Sequence, residues 1–271
     1  MEKILILGIS GLVGKALLRE LENEYDVYGT YHRRKLEKLS DKIYKLDLND
    51  PSCIKHILNN VKPKIIISCL RGDFEKQLDT HKVVAEYSKK NDSKMYFCST
   101  ANVFDKDPSK AYYEGNPTNS ESDYGKYKVS CEEELKRILA DDVVIFRLPM
   151  ILGTDSPRFN SWMDRLNKGL ELEVYSNLYL TSITDVMLAK QIHYIIKNDL
   201  RGIFHLATDD IMNQIDFMSK LTSKLGYKNV KLRRIKAGEG KYYLAVVSNR
   251  ADLPEELKLS NEDVISYLAS E

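Results

Sequence analysis

The chain has 271 residues, enough for one large α/β domain or for one core with a small additional lobe. Hydrophobic residues make up 43% and charged residues 30%, which is typical of globular proteins and excludes a disordered chain. Because the net charge is only +1, no general electrostatic attraction to nucleic acids or to anionic membranes is expected.

The first apolar run, residues 4–13, is too short to cross a bilayer, which requires about 20 apolar residues. Three glycines in and after this run, followed by an acidic helix, are atypical of a signal peptide. The four cysteines and five histidines show no metal-ligand spacing. We therefore expect free thiols, no metal site and a cytoplasmic location.

Short runs rich in Ile, Leu, Val and Tyr alternate with stretches of helical spacing, the first of them a helix predicted over 12–23. Apolar strands separated by helices are typical of a parallel sheet that is covered on both faces. The first half of the chain therefore predicts a doubly wound, Rossmann-type α/β fold. The six predicted strands are 4–7, 26–30, 43–46, 65–69, 95–98 and 143–146.

A glycine-rich turn lies between the first predicted strand and the first helix, with the spacing GxxGxxG. Glycines in such a turn permit a tight bend and close approach of a pyrophosphate, which the N-terminus of the helix stabilises. A plain tight turn with close helix packing is the alternative. The predicted cofactor-binding residues here are Gly8, Ser10, Gly11, Leu12, Val13 and Gly14.

The end of the second predicted strand bears on the choice of cofactor. An acidic residue usually binds a free ribose 2′-hydroxyl at this position, and this chain has none. His32, Arg33 and Arg34 form a basic cluster instead, and arginine suits a 2′-phosphate, so NADPH is favoured over NADH. A solvated basic face is the alternative. Asp47 and Leu48, after the third strand, are placed to contact the adenine.

A tyrosine four residues before a lysine occurs three times, but only Tyr124 and Lys128 begin a long predicted helix that places both side chains on one face. Hydride transfer to a carbonyl leaves an alkoxide that needs a proton. A phenol donates that proton more readily when a nearby ammonium group lowers its pKa. Ser99 and Thr100 follow the strand 95–98 and supply a hydroxyl for the same oxygen. Tyr124, Lys128 and one of these hydroxyls form the predicted catalytic group, and Lys128 can also hold the nicotinamide ribose.

After Arg147 the pattern loosens into a polar loop over 153–161, an amphipathic segment around Trp162, a strand over 175–183, a helix over 185–197 and a strand over 202–207. A helix over 216–225 and strands over 230–235 and 243–247 follow. We predict a nucleotide-binding domain over 1–150 that also receives 176–205, and a smaller α/β substrate-binding lobe formed by 151–175 and 206–271.

These motifs resemble those of the extended short-chain dehydrogenase/reductases, and in particular the dTDP-4-dehydrorhamnose reductase group. The similarity runs through nearly the whole chain, from the glycine turn through 99–105, 124–128 and 147–149 to 202–206. It implies Thr100, Tyr124 and Lys128 as a catalytic triad with Tyr124 as the proton donor. We assign Cys69, Leu70 and Pro149, together with Tyr124 and Lys128, to the cofactor site, and Arg71, Asn102, Met150, Arg158 and Trp162 to the substrate site.

Two positions depart from the reductase group: Asn102 and Met150 stand where the group usually has aromatic residues. The particular sugar therefore stays open, and Trp162 is read either as a base-stacking residue or as part of a buried helix face.

The preferred function is an NADPH-dependent reductase of a nucleotide-linked 4-keto-6-deoxy sugar for polysaccharide assembly, with no nucleic-acid or membrane partner and with a homodimer allowed. The alternatives are a sugar-nucleotide epimerase with bound NAD⁺, and an NAD(P)-binding regulatory protein that resembles the regulatory subunit of methionine adenosyltransferase. A 4,6-dehydratase is disfavoured because no acid follows Thr100.

Overall fold

The computed structural model describes residues 1–33 and 41–270 and contains strands and helices in alternation through its first half. The strands are β1 Lys3–Leu7, β2 Asp26–Tyr31, β3 Ile43–Lys45, β4 Ile65–Ser68, β5 Lys94–Cys98, β6 Val143–Arg147, β7 Met150–Leu152, β8 Leu172–Tyr175, β9 Leu178–Leu180, β10 Ser182–Thr184, β11 Ile203–His205, β12 Met212–Asn213, β13 Leu232–Ile235 and β14 Tyr242–Leu244. The helices are α1 Leu12–Leu21, α2 Pro51–Val61, α3 Phe74–Asn91, α4 Asp123–Leu139, α5 Pro157–Asn167, α6 Asp185–Lys197, α7 Gln214–Lys224 and α8 Asn261–Ala269.

A seven-stranded parallel sheet forms the centre of the described part of the chain, in the order β11-β6-β5-β4-β1-β2-β3. Its inner strands are buried on both faces; every residue of β4 and β6 is buried. Helices α1 and α6 pack together over one face, and α2, α3 and α4 pack over the other. The predicted doubly wound, Rossmann-type α/β fold is thus confirmed.

The strand order reverses between β1 and β4, which are adjacent in the sheet. Connections from these two strands lead to helices on opposite faces, so a crevice opens at their carboxyl ends. Open α/β sheets bind ligands at this point. From the sheet topology we therefore expect a ligand to contact the segments that follow β1, β4, β5 and β6.

Beyond β6, all strands except β11 form smaller sheets: β7 pairs with β10, β8 pairs with β13, and β9 lies between β12 and β14. The single strand predicted over 175–183 is wrong, because the segment is interrupted by a turn at 176–177 and again at residue 181, and β8, β9 and β10 have different partners. The polar loop predicted over 153–161 is wrong in its second half. Helix α5 begins there at Pro157. Ser156 is its N-cap residue, and the Ser156 hydroxyl accepts a hydrogen bond from Phe159 N at 3.2 Å.

Two absences hold for residues 1–33 and 41–270. No helix there combines the length and the apolar character needed to cross a membrane. No group of three or more His, Cys, Asp or Glu side chains is arranged to hold a metal ion.

Of the segment 176–205, α6 and the strand β11 at its end join the layers of the central sheet, whereas β9 belongs to the smaller sheets. The proposed division into two lobes stays a prediction.

Candidate active site

A cavity of about 520 Å³ opens at the carboxyl ends of β1, β4, β5 and β6. It brings together most of the residues that the sequence predicted for cofactor, catalysis and substrate. Those residues are Gly11, Leu12, Val13, Gly14, Cys69, Leu70, Arg71, Thr100, Asn102, Tyr124, Lys128, Pro149, Met150 and Arg158. Segments up to 147 positions apart in sequence, from Gly11 to Arg158, thus meet at the switch point of the sheet.

The turn between β1 and α1 is built for close backbone approach. Gly8 has φ +87, a conformation that favours glycine, and its N–H donates to Thr30 Oγ1 at 3.0 Å. A Cβ on Gly14 would lie 2.4 Å from the Gly8 carbonyl oxygen, so only glycine allows α1 to start so close to β1. Gly8 and Ser10 shape this turn without lining the cavity.

The N-terminus of α1 faces the cavity through Gly11, Leu12 and Val13. Gly11 is the N-cap residue, and it has no side chain that could accept a hydrogen bond from the first turn of the helix. Free N–H groups and the helix dipole favour an anion at such a terminus. The turn therefore fits the pyrophosphate of a dinucleotide.

The residues predicted to contact the adenosine half of the cofactor lie after the carboxyl ends of β2 and β3 and do not line the cavity. His32 and Arg33 are exposed after β2, and His32 Nδ1 lies 3.4 Å from Leu46 O. Asp47 accepts hydrogen bonds from the backbone and side chain of Asn49, which lower its pKa, and Leu48 is half-buried beside it. The prediction for Arg34 lies outside the described residues.

Helix α4 places Tyr124 and Lys128 on its cavity side, one turn apart. Lys128 is only 4% exposed, and its Nζ donates to the Cys98 carbonyl oxygen at 2.7 Å. Burial lowers the pKa of Lys128, because the low-dielectric surroundings disfavour the ammonium form. Lys128 thereby joins α4 to the end of β5.

Tyr124 remains 39% exposed to the cavity. Partial burial raises the pKa of its phenol, and the Thr100 hydroxyl and the Arg71 guanidinium act in the opposite direction. Arg71 is thus a cation that favours the phenolate in this structure, whereas Lys128 is engaged with Cys98. The expected effect of the Lys128 ammonium on Tyr124 stays a prediction.

Thr100 closes the group. It follows β5, its backbone neighbour Ala101 donates to Leu148 O at 2.8 Å, and its Oγ1 donates to Asn102 Oδ1 at 3.1 Å. Thr100 is 7% exposed and lines the cavity, where its hydroxyl forms a hydrogen bond with Tyr124 that lowers the pKa of the phenol. A hydroxyl, a phenol and a buried amine therefore surround one end of the cavity, an arrangement suited to proton delivery to a carbonyl oxygen.

The sequence analysis did not predict a buried ionic network that lies next to the cavity. Ser99 Oγ donates to Glu132 Oε1 at 2.5 Å, and Arg147 Nη2 donates to Glu132 Oε2 at 2.8 Å. Glu132 and Arg147 are each 2% exposed. Glu132 lies four residues after Lys128, so helical spacing could have placed it on the inner face of α4; its partners could not be read from spacing. The network fixes α4 against the ends of β5 and β6.

Of the residues assigned to substrate, Arg71, Asn102, Met150 and Arg158 line the cavity, and Arg158 Nη1 lies 3.2 Å from Met150 Sδ. Trp162 does not line it; the half-buried indole packs against the hydrophobic core, and its assignment to substrate stays a prediction. Sequence reasoning assigned no role in the site to several further lining residues, which include Cys98, Ile151, Ser156 and Leu244.

Residues 4–181 match the model of the NAD dependent epimerase/dehydratase family. The fold is similar to that of dTDP-4-dehydrorhamnose reductase from Bacillus anthracis in complex with NADP, with 24% identity, a TM-score of 0.81 and coverage of 98% of this chain and 97% of that one. The dTDP-4-keto-6-deoxy-D-glucose reductase of Streptomyces niveus is 26% identical over 75% of this chain and 72% of that protein. Methionine adenosyltransferase 2 subunit beta of Danio rerio is 23% identical over 79% and 71%. The resemblance inferred from the motifs is confirmed.

Proposed function

Because this chain belongs to the NAD dependent epimerase/dehydratase family, we propose that it is an NADPH-dependent reductase of a nucleotide-linked 4-keto-6-deoxy sugar. One observation carries the proposal: Thr100, Tyr124 and Lys128 line the same cavity as the glycine turn of α1. The relatives named as reductases of dTDP-linked keto sugars support the same class of reaction. The chain is accordingly an oxidoreductase that uses a nicotinamide cofactor.

The residues present fit such a cofactor. The uncapped N-terminus of α1 would hold the pyrophosphate, and Leu70, Lys128 and Pro149 would lie along the nicotinamide half. The bound nicotinamide supplies the hydride. The choice of NADPH over NADH is supported by the exposed His32 and Arg33 and by the absence of an acidic residue at the end of β2.

In the proposed reaction Tyr124 donates its phenolic proton to the carbonyl oxygen, and the Thr100 hydroxyl turns from Asn102 Oδ1 to donate a hydrogen bond to the same oxygen. The phenolate that remains is stabilised by positive charge, of which Arg71 is a source in this structure. Lys128 holds the end of β5 and the nicotinamide ribose. Asn102, Met150 and Arg158 face the sugar nucleotide.

The test is an assay of NADPH and NADH oxidation with a panel of dTDP- and UDP-linked 4-keto-6-deoxy sugars. We expect activity with NADPH and a loss of about 100-fold or more in Tyr124→Phe, the usual contribution of a general acid. Tyr113→Phe is the matched control, because Tyr113 is exposed and lies outside the cavity. Absence of NADPH oxidation with every sugar in the panel would refute the proposal.

A regulatory role is the second candidate, since several curated relatives are named methionine adenosyltransferase 2 subunit beta. Asn102 and Met150, which replace aromatic residues of the reductase group, are consistent with it. Under this alternative, NADPH alone raises the melting temperature, no sugar nucleotide adds to the shift, and an enzyme partner is recovered in stoichiometric amount. NAD⁺ that co-purifies with the protein would instead favour an epimerase. The cytoplasmic location, the homodimer and the two-lobe division stay predictions.

A further inference from the structure

Two thiols meet inside the cavity. Strands β4 and β5 are parallel neighbours in which Ser68 is paired with Phe97, so the next residues, Cys69 and Cys98, are also opposite each other. Their Sγ atoms are 3.6 Å apart, and both residues line the cavity. The other two cysteines lie elsewhere: Cys53 donates to Lys45 O, and Cys131 contacts His81. All four thiols are free.

The geometry allows these two sulfurs to bond. Adjacent parallel strands lie about 4.8 Å apart, within the range of about 4.4–6.8 Å in which the Cα atoms of a disulfide are found. The sulfurs would have to approach by about 1.5 Å to reach a normal S–S bond length. Rotation of two short side chains with a small shift of the strand ends can supply that movement. Cys69 is half-buried and Cys98 is 7% exposed, and the cavity gives a small oxidant access to both.

The surroundings favour reaction at Cys98. The Lys128 Nζ that binds the Cys98 carbonyl oxygen brings a positive charge next to this residue. The hydrogen bond from the Cys69 thiol lowers the pKa of Cys98, with a further contribution from Lys128, while the same hydrogen bond and burial raise the pKa of Cys69. The proton of the pair therefore stays on Cys69 when Cys98 ionises, which leaves a thiolate as the nucleophile.

We propose that Cys69 and Cys98 form a peroxide-oxidisable dithiol, and that its disulfide weakens binding of the nicotinamide nucleotide. The Cys98 thiolate attacks hydrogen peroxide, the O–O bond breaks, and Cys98 sulfenic acid forms with release of hydroxide, which takes up a proton as water. The Cys69 sulfur then displaces the sulfenic oxygen as a second water, and the S–S bond forms. Two thiols are oxidised by two electrons and one peroxide is reduced to two waters.

The expected effect on binding follows from position and rests on the proposed function. Leu70 and Arg71 directly follow Cys69, and Ser99 and Thr100 directly follow Cys98, so a bond between the two sulfurs moves both cavity-lining segments. Conversely, a nucleotide lying over the thiols shields them from peroxide. By linkage, a disulfide that lowers nucleotide affinity is itself disfavoured by bound nucleotide.

The experiment treats the full-length protein with a small excess of hydrogen peroxide, with and without NADPH, and maps its tryptic peptides. We expect peptides 65–71 and 95–106 to appear joined with the loss of two hydrogens. They should be joined in the wild type and in the control Cys53→Ser, but not in Cys69→Ala or Cys98→Ala. NADPH affinity, followed by nucleotide fluorescence, should fall at least about tenfold on oxidation and return after treatment with dithiothreitol.

Three results overturn the proposal: peroxide that consumes thiols without joining these peptides, a joined pair in a protein of unchanged NADPH affinity, or joining that NADPH does not slow. Failure of the proposed function gives a different result. In that case the reduced, untreated protein oxidises NADPH with no sugar of the panel, whereas the peptide map and the NADPH affinity still decide whether the two sulfurs join and whether their bond weakens nucleotide binding.

Discussion

Removal of the buried carboxylate in Glu132→Ala tests how strongly the network behind the cavity holds the fold. Glu132 accepts hydrogen bonds from Arg147 Nη2 at 2.8 Å and Nε at 3.2 Å, and from Ser99 Oγ at 2.5 Å. The side chains of Arg147 and Glu132 are 3% and 2% exposed, so bulk solvent does not hydrate the guanidinium from which the carboxylate is removed. Among residues 1–33 and 41–270, the guanidinium keeps the Glu114 carbonyl oxygen at 3.2 Å and the face of the Phe104 ring as its partners.

An uncompensated buried charge destabilises a protein by about 3–5 kcal/mol, and the unpaired Ser99 hydroxyl adds about 1 kcal/mol. We therefore expect the free energy of unfolding of Glu132→Ala to fall by about 4–6 kcal/mol, measured by urea denaturation. Glu134→Ala is the control on the same helix. Its partner Arg137 is 68% exposed, so the loss should stay below about 1 kcal/mol.

The double variant Glu132→Leu/Arg147→Met separates the lost charge pair from lost packing. It removes both buried charges and should recover at least about 2 kcal/mol of the loss, because apolar residues of similar size replace a buried ion pair at little penalty. The reasoning is refuted if the free energy of unfolding of Glu132→Ala lies within about 1 kcal/mol of the wild-type value, or if the double variant is less stable than Glu132→Ala.

Three further predictions follow from the same geometry. Gly14→Ala places a Cβ 2.4 Å from the Gly8 carbonyl oxygen and should lower the free energy of unfolding by about 3 kcal/mol or more, whereas Gly115→Ala, which meets nothing within 4 Å, should change it by less than about 0.5 kcal/mol in the same urea titration. Burial lowers the pKa of His81 from 6.5 to about 3, so the unfolded chain binds a proton that the folded protein excludes, and His81 should contribute a loss of about 3 kcal/mol of stability as the pH falls from 6.5 to about 4. Burial lowers the pKa of His205 to about 4, which adds a loss over the same range, so His81→Gln should reduce the pH dependence by about 3 kcal/mol without abolishing it, and His56→Gln, at an exposed site, should leave it unchanged. Arg71→Met removes a cation that lowers the pKa of Tyr124, so the alkaline limb of the pH profile for carbonyl reduction should move to higher pH, and a limb that stays in place contradicts the role given to Arg71.

Local sequence patterns determined the framework and the position of the site. The apolar strands, their alternation with helices and the glycines between β1 and α1 depend on neighbouring residues, and all can be read from spacing. Parallel strands align their carboxyl ends, so Thr100 and the segment after β4 had to lie at one edge of the sheet. For the same reason the helix that carries Tyr124 and Lys128 could be predicted to face that edge.

Only the tertiary structure decided which partners these residues have. The segment 175–183 reads as one apolar strand, because periodicity does not show where a chain turns to pair with β13, β12 or β7. Trp162 has the same spacing whether it faces a ligand or the core. The bond from Lys128 to Cys98, the buried Glu132 with Arg147, and the 3.6 Å approach of two thiols all join elements far apart in the chain. The packing of helices on the sheet determines those distances, so they cannot be predicted from the spacing of residues along the sequence.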